Sequence, residues 1–262
     1  MTMFLRRRAQ FSAGVSDGGG HNYLCELTVG GQIDPHSGMV VNIKDVDAVL
    51  KSQVLSVLGG TVLDRDVPAF RAAPPTPENV VRWIWDQCAP ALPPSAPLTR
   101  VTLWATPTEW AEFSRPTPTG EDSMLTVTRA YDFSASHRLH SAHLSDAENA
   151  EIFGKCNWAN GHGHNYEVEI TLAGEPAPDT GRLGCPETLD RIVDEEVLKP
   201  FDHRHLNFDA PEFRDLNPTS ENLTHVIWDK LARRLASEPM DGARLYKVAV
   251  RETARNYFEY YG

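Results

Sequence analysis

Three histidines and one cysteine in the second half of this chain have the types and spacing to do chemistry. His162 and His164 are separated by one glycine, and they open a run in which Tyr166, Val168, Ile170 and Leu172 alternate with Glu167, Glu169 and Thr171. Such alternation predicts a half-buried strand, and side chains two residues apart leave a strand on the same face. The two imidazoles therefore point the same way, as a metal requires of its ligands. His137 follows a second alternating run, Leu125–Phe133. Three neutral imidazoles leave a fourth coordination position open, the arrangement of a catalytic rather than a structural zinc site. A His-x-His pair alone is a weak signal, because many such pairs hold nothing.

Cys156 stands six residues before His162. The four cysteines, Cys25, Cys88, Cys156 and Cys185, follow no disulfide-framework spacing. A cytosolic chain keeps its thiols reduced, so Cys156 is expected free to act as a reagent. A cytoplasmic location is expected because no apolar run approaches the roughly 20 residues of a membrane span and the N-terminus lacks the apolar core of a signal peptide. A formal charge of −11 argues against a nucleic-acid partner, whose phosphates would call for a basic face. The short run Arg6–Arg8 reads as a solvated strand edge.

The elements that position these residues come in two copies. GGGHNYLCELTVGG (18–31) recurs as GHGHNYEVEITLAG (161–174), and PTPENVVRWIWDQ (75–87) recurs as PTSENLTHVIWDKL (218–231). LTRVTLWATPTEW (98–110) recurs as LYKVAVRETARNY (245–257). The offset is 143 at HNY (164 − 21) and at the threonines (219 − 76), and 147 at the last pair (245 − 98). Two modules in tandem are expected, 1–116 and 117–262, joined through Ser114–Ser123, which is rich in Pro, Gly and Ser. Each reads as two strands, two helices and two strands.

The helices carry apolar stripes. Thr219 is the expected N-cap of a helix presenting Leu223, Val226, Ile227, Leu231 and Leu235, and Leu189, Ile192, Val193 and Val197 form another stripe. In the first copy Val80, Ile84, Trp83 and Trp85 take the matching place as core. The fold class is therefore α+β: in each module a four-stranded antiparallel sheet with two helices on one face. Its exposed sheet edges invite closure into a barrel by association with other copies.

The copies differ where chemistry would sit. FSA recurs at an offset of only 122 (133 − 11), so the first copy lacks 143 − 122 = 21 residues, the loop that holds Cys156. Against His137, His162, His203 and Glu252 it has Val15, Gly19, Arg65 and Ala105; His21 alone matches a histidine. The first module is expected to be a fold without this site.

From about residue 124 onward the chain resembles the 6-pyruvoyl-tetrahydropterin synthase family, which includes the related 6-carboxy-tetrahydropterin synthases. FSASHRL, LSDAEN, FGKCNWANGHGHNYEVEITLAGE, FDHRHLN, PTSENL and VAVRET occur in the family's order and spacing. The resemblance implies the T-fold, whose modules close into β-barrels with active sites at module interfaces. It implies a zinc-dependent lyase that converts 7,8-dihydroneopterin triphosphate to 6-pyruvoyl-tetrahydropterin and releases triphosphate. By the same resemblance His137, His162 and His164 hold Zn2+. Cys156 is the proton-abstracting base, and Asp202 with His203 completes its triad. Glu252 anchors the pterin, and Thr219 and Ser220 flank the ring.

Two further readings stand beside this one. The first is a 6-carboxy-tetrahydropterin synthase acting on the same substrate, although the five residues between Cys156 and His162 follow the pyruvoyl-type pattern. The second is a non-catalytic pterin-binding or assembly scaffold, against which stands the survival of every catalytic residue type in the second copy. A departure lies after the second strand, where the first copy keeps GMVVNIKDV (38–46) and the second has GRLGCPETL (181–189). The implied partners are a small pterin triphosphate and further copies of the chain. The expected assembly is a trimer imitating a hexamer of modules, with three second copies closing one barrel and three first copies another.

Overall fold

The computed structural model describes residues 2–114, 123–238, 240 and 242–262. Of the expected joint Ser114–Ser123, residues 115–122 lie outside the described residues. The chain divides into two compact units: Met1–Thr128 with Ala173–Leu183, and Arg129–Leu172 with Gly184–Gly262.

Unit 1 is built on four antiparallel strands in the order β1 (Met3–Gly14), β2 (Gly20–Gly31), β3 (Leu98–Thr106) and β4 (Glu109–Ser114). β1 pairs with β2 from Met3↔Gly31 to Gly14↔Gly20, and Arg6, Arg7 and Arg8 lie exposed along β1. Between β2 and β3 come the helix Ile43–Val49, continued by a π-helical stretch Leu50–Leu55, and the helix Pro77–Cys88. Thr76 caps the latter through Asn79 N–H, and Val80, Val81, Ile84, Trp85 and Cys88 are buried from it. Trp83, expected in the core, is only half-buried and leans on Phe70.

Unit 2 repeats the plan. β5 (Met124–His137) is followed by the helix Asp146–Phe153, β6 (His162–Gly174), and the helix Pro186–Val193 continued by a π-helical stretch Asp194–Leu198. Then come the short β7 (Arg204–His205), the helix Ser220–Ser237, β8 (Ala243–Thr253) and β9 (Asn256–Tyr260). The sheet order is β5-β6-β8-β9, with β7 parallel to β5 through Ala135↔Arg204 and Ser136↔His205. Both repeats insert a π-helical stretch at the same place in the first long helix, a feature that periodicity at 3.6 residues per turn does not reveal.

Thr219 caps the helix Ser220–Ser237 by accepting from Asn222 N–H at 3.3 Å. Leu223, Ile227 and Leu231 are buried along one stripe, whereas Val226 and Leu235 are half-buried. Thr224 is buried too, its hydroxyl satisfied by donating to Ser220 O at 2.7 Å.

β6 departs from the half-buried strand that its alternation predicts. Tyr166, Val168, Ile170 and Leu172 are buried as expected, but so are Glu169 and Thr171 on the opposite face. A buried carboxylate must be paired or hydrogen-bonded. Glu169 accepts from the Tyr257 hydroxyl at 2.6 Å and stands 3.7 Å from Lys247 and 3.8 Å from Arg251. Side chains of β8 and β9 thus cover the polar face, and β6 is held from both sides where it approaches the histidines.

The loop after His137 is fixed by one buried amide. Asn149, fully buried, donates to Ser141 O, Leu144 O and Ser145 O and accepts from Ser141 N–H at 2.7 Å. Asn149→Ala would leave several buried backbone groups unpaired, each costing about 1–3 kcal/mol. The variant is expected to unfold at clearly lower urea concentration, with a total loss of roughly 2–4 kcal/mol. Asn149→Ala with an unchanged midpoint would refute this account of the loop.

Candidate active site

β5 ends at His137 and β6 begins at His162, and the strand geometry gathers three imidazoles. The ring centroids of His137 lie 4.7 Å from His162 and 5.2 Å from His164, and those of His162 and His164 are 4.8 Å apart. One ligand atom from each falls within 4.8 Å of the others, and among the described residues no other trio of His, Cys, Asp or Glu does so.

The donor set fits a metal ion. His137 is 1 % exposed and its Nδ1–H donates to Pro218 O at 2.7 Å, which fixes the tautomer and leaves Nε2 as a lone pair. That Nε2, His162 Nδ1 and His164 Nε2 are all buried with no hydrogen-bond partner. Unpartnered buried nitrogens are costly, and one nitrogen from each ring lies near enough to the others to serve one shared cation. Burial holds His137 down to about 4, and His162 is lowered chiefly by burial and then by His164, so both stay neutral and able to ligate.

A carboxylate faces the trio. Glu252 Oε1 stands 3.7 Å from His164 Nε2 and 3.9 Å from His137 Nε2. With His137 neutral, the latter is a dipolar contact rather than an ion pair. Ser220 donates to Oε1 at 2.8 Å and Asn256 donates to Oε2 at 2.9 Å. Burial opposes the charge on Glu252, but these hydrogen bonds and the neighbouring histidines hold its carboxyl below the usual range. Glu252 is therefore an aimed anion beside the imidazoles. Ser220 acts on it directly, whereas the hydroxyl of Thr219 accepts the helix-capping N–H.

Cys156 lies in the 3-10 turn Gly154–Asn157, half-buried, with its carbonyl accepting Leu139 N–H at 2.8 Å. Arg138 clamps the next residue, donating to Asn157 O and Oδ1. Tyr166 lies beside the imidazoles. Its ring packs against His137 and His164, its hydroxyl is buried without a partner, and its pKa is raised by burial first and then by Glu252 and Cys156.

Asp202 and His203 lie elsewhere. Phe133 and Tyr166 stack on one face of β5 and β6, the face His137 shares, while Ser134 donates to Asn165 across the other. Asp202 accepts from Ser134 N–H at 2.9 Å, in the sheet plane along the edge of β5 where β7 pairs, and it pairs with His203 Nδ1 at 2.8 Å. Backbone and histidine hydrogen bonds hold Asp202 below the usual carboxylate range. His203 sits at a φ of 56°, a left-handed conformation uncommon outside glycine, and its side chain is 81 % exposed. A cleft of about 630 Å³ opens there, lined by Ser136, Asn165, His203, His205 and Asp209 and also by His164 of the imidazole trio. Within one chain the structure gathers His137, His162, His164, Glu252 and Ser220, and ties the Cys156 turn to the segment after His137 through Leu139 and Arg138. His203 meets this group only at the cleft that His164 also lines, and Asp202 stands beside it on the edge of β5.

Sequence reasoning missed Tyr166, Asn256 and the Pro218 carbonyl. Tyr166 reads as a core residue because HNY occurs in both repeats, and the Phe11–Tyr23 stack at 5.1 Å reproduces Phe133–Tyr166 at 5.2 Å. No residue type marks a backbone carbonyl as a partner for an imidazole.

The 6-pyruvoyl tetrahydropterin synthase family model matches this chain twice, over residues 17–116 and 126–262. The human 6-pyruvoyl tetrahydrobiopterin synthase is 45 % identical over 143 residues, 55 % of this chain and 95 % of that protein. A Bacillus subtilis 6-carboxy-5,6,7,8-tetrahydropterin synthase is 32 % identical over 132 residues, 50 % of this chain and 86 % of the relative. The solved Caenorhabditis elegans 6-pyruvoyl tetrahydropterin synthase is 42 % identical, with a TM-score of 0.49 over 53 % of this chain and 96 % of that one. The chain belongs to the 6-pyruvoyl tetrahydropterin synthase family, with its α+β fold made of two tandem T-fold modules.

The depressed histidines give the metal-free protein a pH signature. Unfolded histidine takes up its proton near 6.5, whereas folded His137 resists to about 4. The unfolded chain therefore binds more protons in this window, and stability falls as pH drops from about 6.5 toward 4. Urea midpoints of metal-free protein should decline across that window and decline less for His137→Gln; equal slopes would contradict the assignment.

Proposed function

We propose that the second repeat is a zinc-dependent lyase that converts 7,8-dihydroneopterin triphosphate to 6-pyruvoyl-tetrahydropterin and releases triphosphate. The observation that carries this reading is the gathering of three imidazoles, one nitrogen of each within 4.8 Å of the others, beside the anchored carboxylate of Glu252. His137, His162 and His164 would hold the zinc. Its chemistry there is Lewis acidity toward the hydroxyls of the substrate side chain, which makes an adjoining C–H acidic.

The chain's own groups do the rest. Glu252, its geometry set by Ser220 and Asn256, accepts the pterin's ring N–H and amino group and so orients the side chain toward the imidazoles. Cys156, held through Leu139 and Asn157, takes the proton as a thiolate. Buried Tyr166 packs against His137 and His164 and closes that side of the imidazole cluster. Triphosphate leaves with its bonding electron pair, and the remaining tautomerisations only move protons, so no redox cofactor is consumed. Asp202 and His203 are the proposed relay that returns protons. They stand along the edge of β5, where His203 lines the cleft that His164 also lines.

A 6-carboxy-tetrahydropterin product from the same substrate is the second reading, supported by the Bacillus subtilis relative. The five residues between Cys156 and His162, together with the higher identity to the human relative, favour the pyruvoyl product. The first repeat, with His21 alone of the matching histidines, has no such activity in either reading.

Purified protein incubated with dihydroneopterin triphosphate should release triphosphate and give the pyruvoyl product by mass spectrometry. Failure to release triphosphate from a zinc-loaded sample would sink the proposal. Elemental analysis should find one zinc per chain, lost on His162→Ala. Cys156→Ala should keep zinc and bind neopterin normally while turnover falls at least 100-fold, on the order of the contribution of a positioned base. Glu252→Gln should instead weaken neopterin binding by roughly 2–5 kcal/mol, as expected where a charge-assisted pair is buried. An unchanged dissociation constant would remove Glu252 from the anchor role.

A further inference from the structure

Unit 1 contains a docked loop, and among the described residues the counterpart of its seat has no hydrogen-bonded occupant. The loop Ala177–Leu183 is a tight turn, with Gly181 N–H donating to Ala177 O at 2.7 Å and Ala177 N–H to Arg182 O at 2.9 Å. It sits on the start of the helix Pro77–Cys88. Thr76 donates to Gly181 O at 2.6 Å, Leu183 N–H donates to the buried Glu78 at 2.9 Å, and Arg182 reaches Glu109 at 3.4 Å. A Cβ on Gly181 would lie 2.5 Å from Asn79 Nδ2, and its φ is +68°, so the fit demands glycine.

Both halves of this contact occur a second time. The same loop stands 143 positions earlier (181 − 143 = 38), with Gly38 N–H donating to Asp34 O at 2.8 Å, Asp34 N–H to Met39 O at 2.9 Å, and a φ of +71° at Gly38. The same seat stands 143 positions later, with Thr219 for Thr76 and Glu221 for Glu78 (219 − 76 = 221 − 78 = 143). Thr219 accepts its capping N–H as Thr76 does, which leaves its proton for a carbonyl. Here, however, both are open. A Cβ on Gly38 would meet nothing within 4 Å, and Met39 is 44 % exposed. Glu221 is exposed, without a hydrogen-bond or ion-pair partner among the described residues.

We propose that the Gly38–Val40 loop of one chain docks on the Thr219–Glu221 helix start of a second copy of the chain, repeating between molecules the contact made inside unit 1. Thr219 donates to the Gly38 carbonyl, and Val40 N–H donates to Glu221. Met39 is carried to the edge of the site that holds Ser220 and Glu252.

The residue differences between the two loops suit their two seats. Arg182 meets Glu109, its counter-charge, beside Tyr23, the equivalent of Tyr166. At the second seat Asn256 replaces Glu109 (109 + 147 = 256), and the nearby carboxylate is Glu252. An arginine arriving there would pair with Glu252 and occupy it, whereas a methionine closes the edge and leaves the carboxylate to a ligand. The docking joins unlike repeats of two chains, in place of the separate rings of like repeats expected from sequence. It does not depend on which pterin, if any, the site turns over.

The test mixes two single variants of the full chain, Val40→Cys and Glu221→Cys, each with Cys185→Ser, and treats them with a short bis-maleimide. A link between positions 40 and 221, identified by mass spectrometry of the peptides, must join two chains because neither variant carries both cysteines. That link in the mixture, and its absence from either variant alone, is the expected result. A mixture that associates by light scattering yet yields no such link, or that remains monomeric, overturns the proposal.

Discussion

The site depends on leaving three buried imidazole nitrogens without a hydrogen-bond partner inside the protein. Such atoms destabilise a fold, and the chain tolerates them only because the surrounding structure determines their positions from several directions. The Pro218 carbonyl ahead of the helix Ser220–Ser237 holds His137 Nδ1–H, so that helix's start orients a ligand donated by β5. Strand alternation sets His162 and His164 on the same face. Covering β6 on both faces removes the freedom to slip by one residue, which would turn both ligands away.

The same helix start does three jobs with adjacent residues. Pro218 orients His137, Thr219 caps the helix, and Ser220 holds Glu252. His137 and Glu252 are thereby referenced to one rigid element, so their separation is set by packing rather than by loop motion. In the first repeat Pro77 takes the position of Ser220, and Ala105 that of Glu252. Its helix is still capped and still packed, and the position is used to seat a loop.

The aromatic stack persists in both repeats while the ligands do not. Phe11 on Tyr23 and Phe133 on Tyr166 have nearly the same separation and tilt, 5.1 Å and 22° against 5.2 Å and 20°. Packing against a sheet constrains size and shape at these positions, so they survive in a module without the site. Val15, Gly19 and Arg65 stand where packing imposes no such demand and only chemistry would keep a histidine.

The amino-acid sequence by itself determined the tandem repeat, the strand that aligns His162 with His164, the Thr76 and Thr219 helix caps and the apolar stripes. These follow from local periodicity and from backbone groups a few residues apart. It also carried the family's motifs, so the type of every proposed site residue was legible. Only the tertiary structure decided which of them meet. Asp202 and His203 follow one another in a motif as recognisable as the others, yet their bonds to the Ser134 backbone place them along the edge of β5, beside β7. Tyr166 and Asn256 were hidden because one reads as core and the other as a turn residue. Their roles come from contacts across β5, β6, β8 and β9, whose sequence separation leaves no periodic trace.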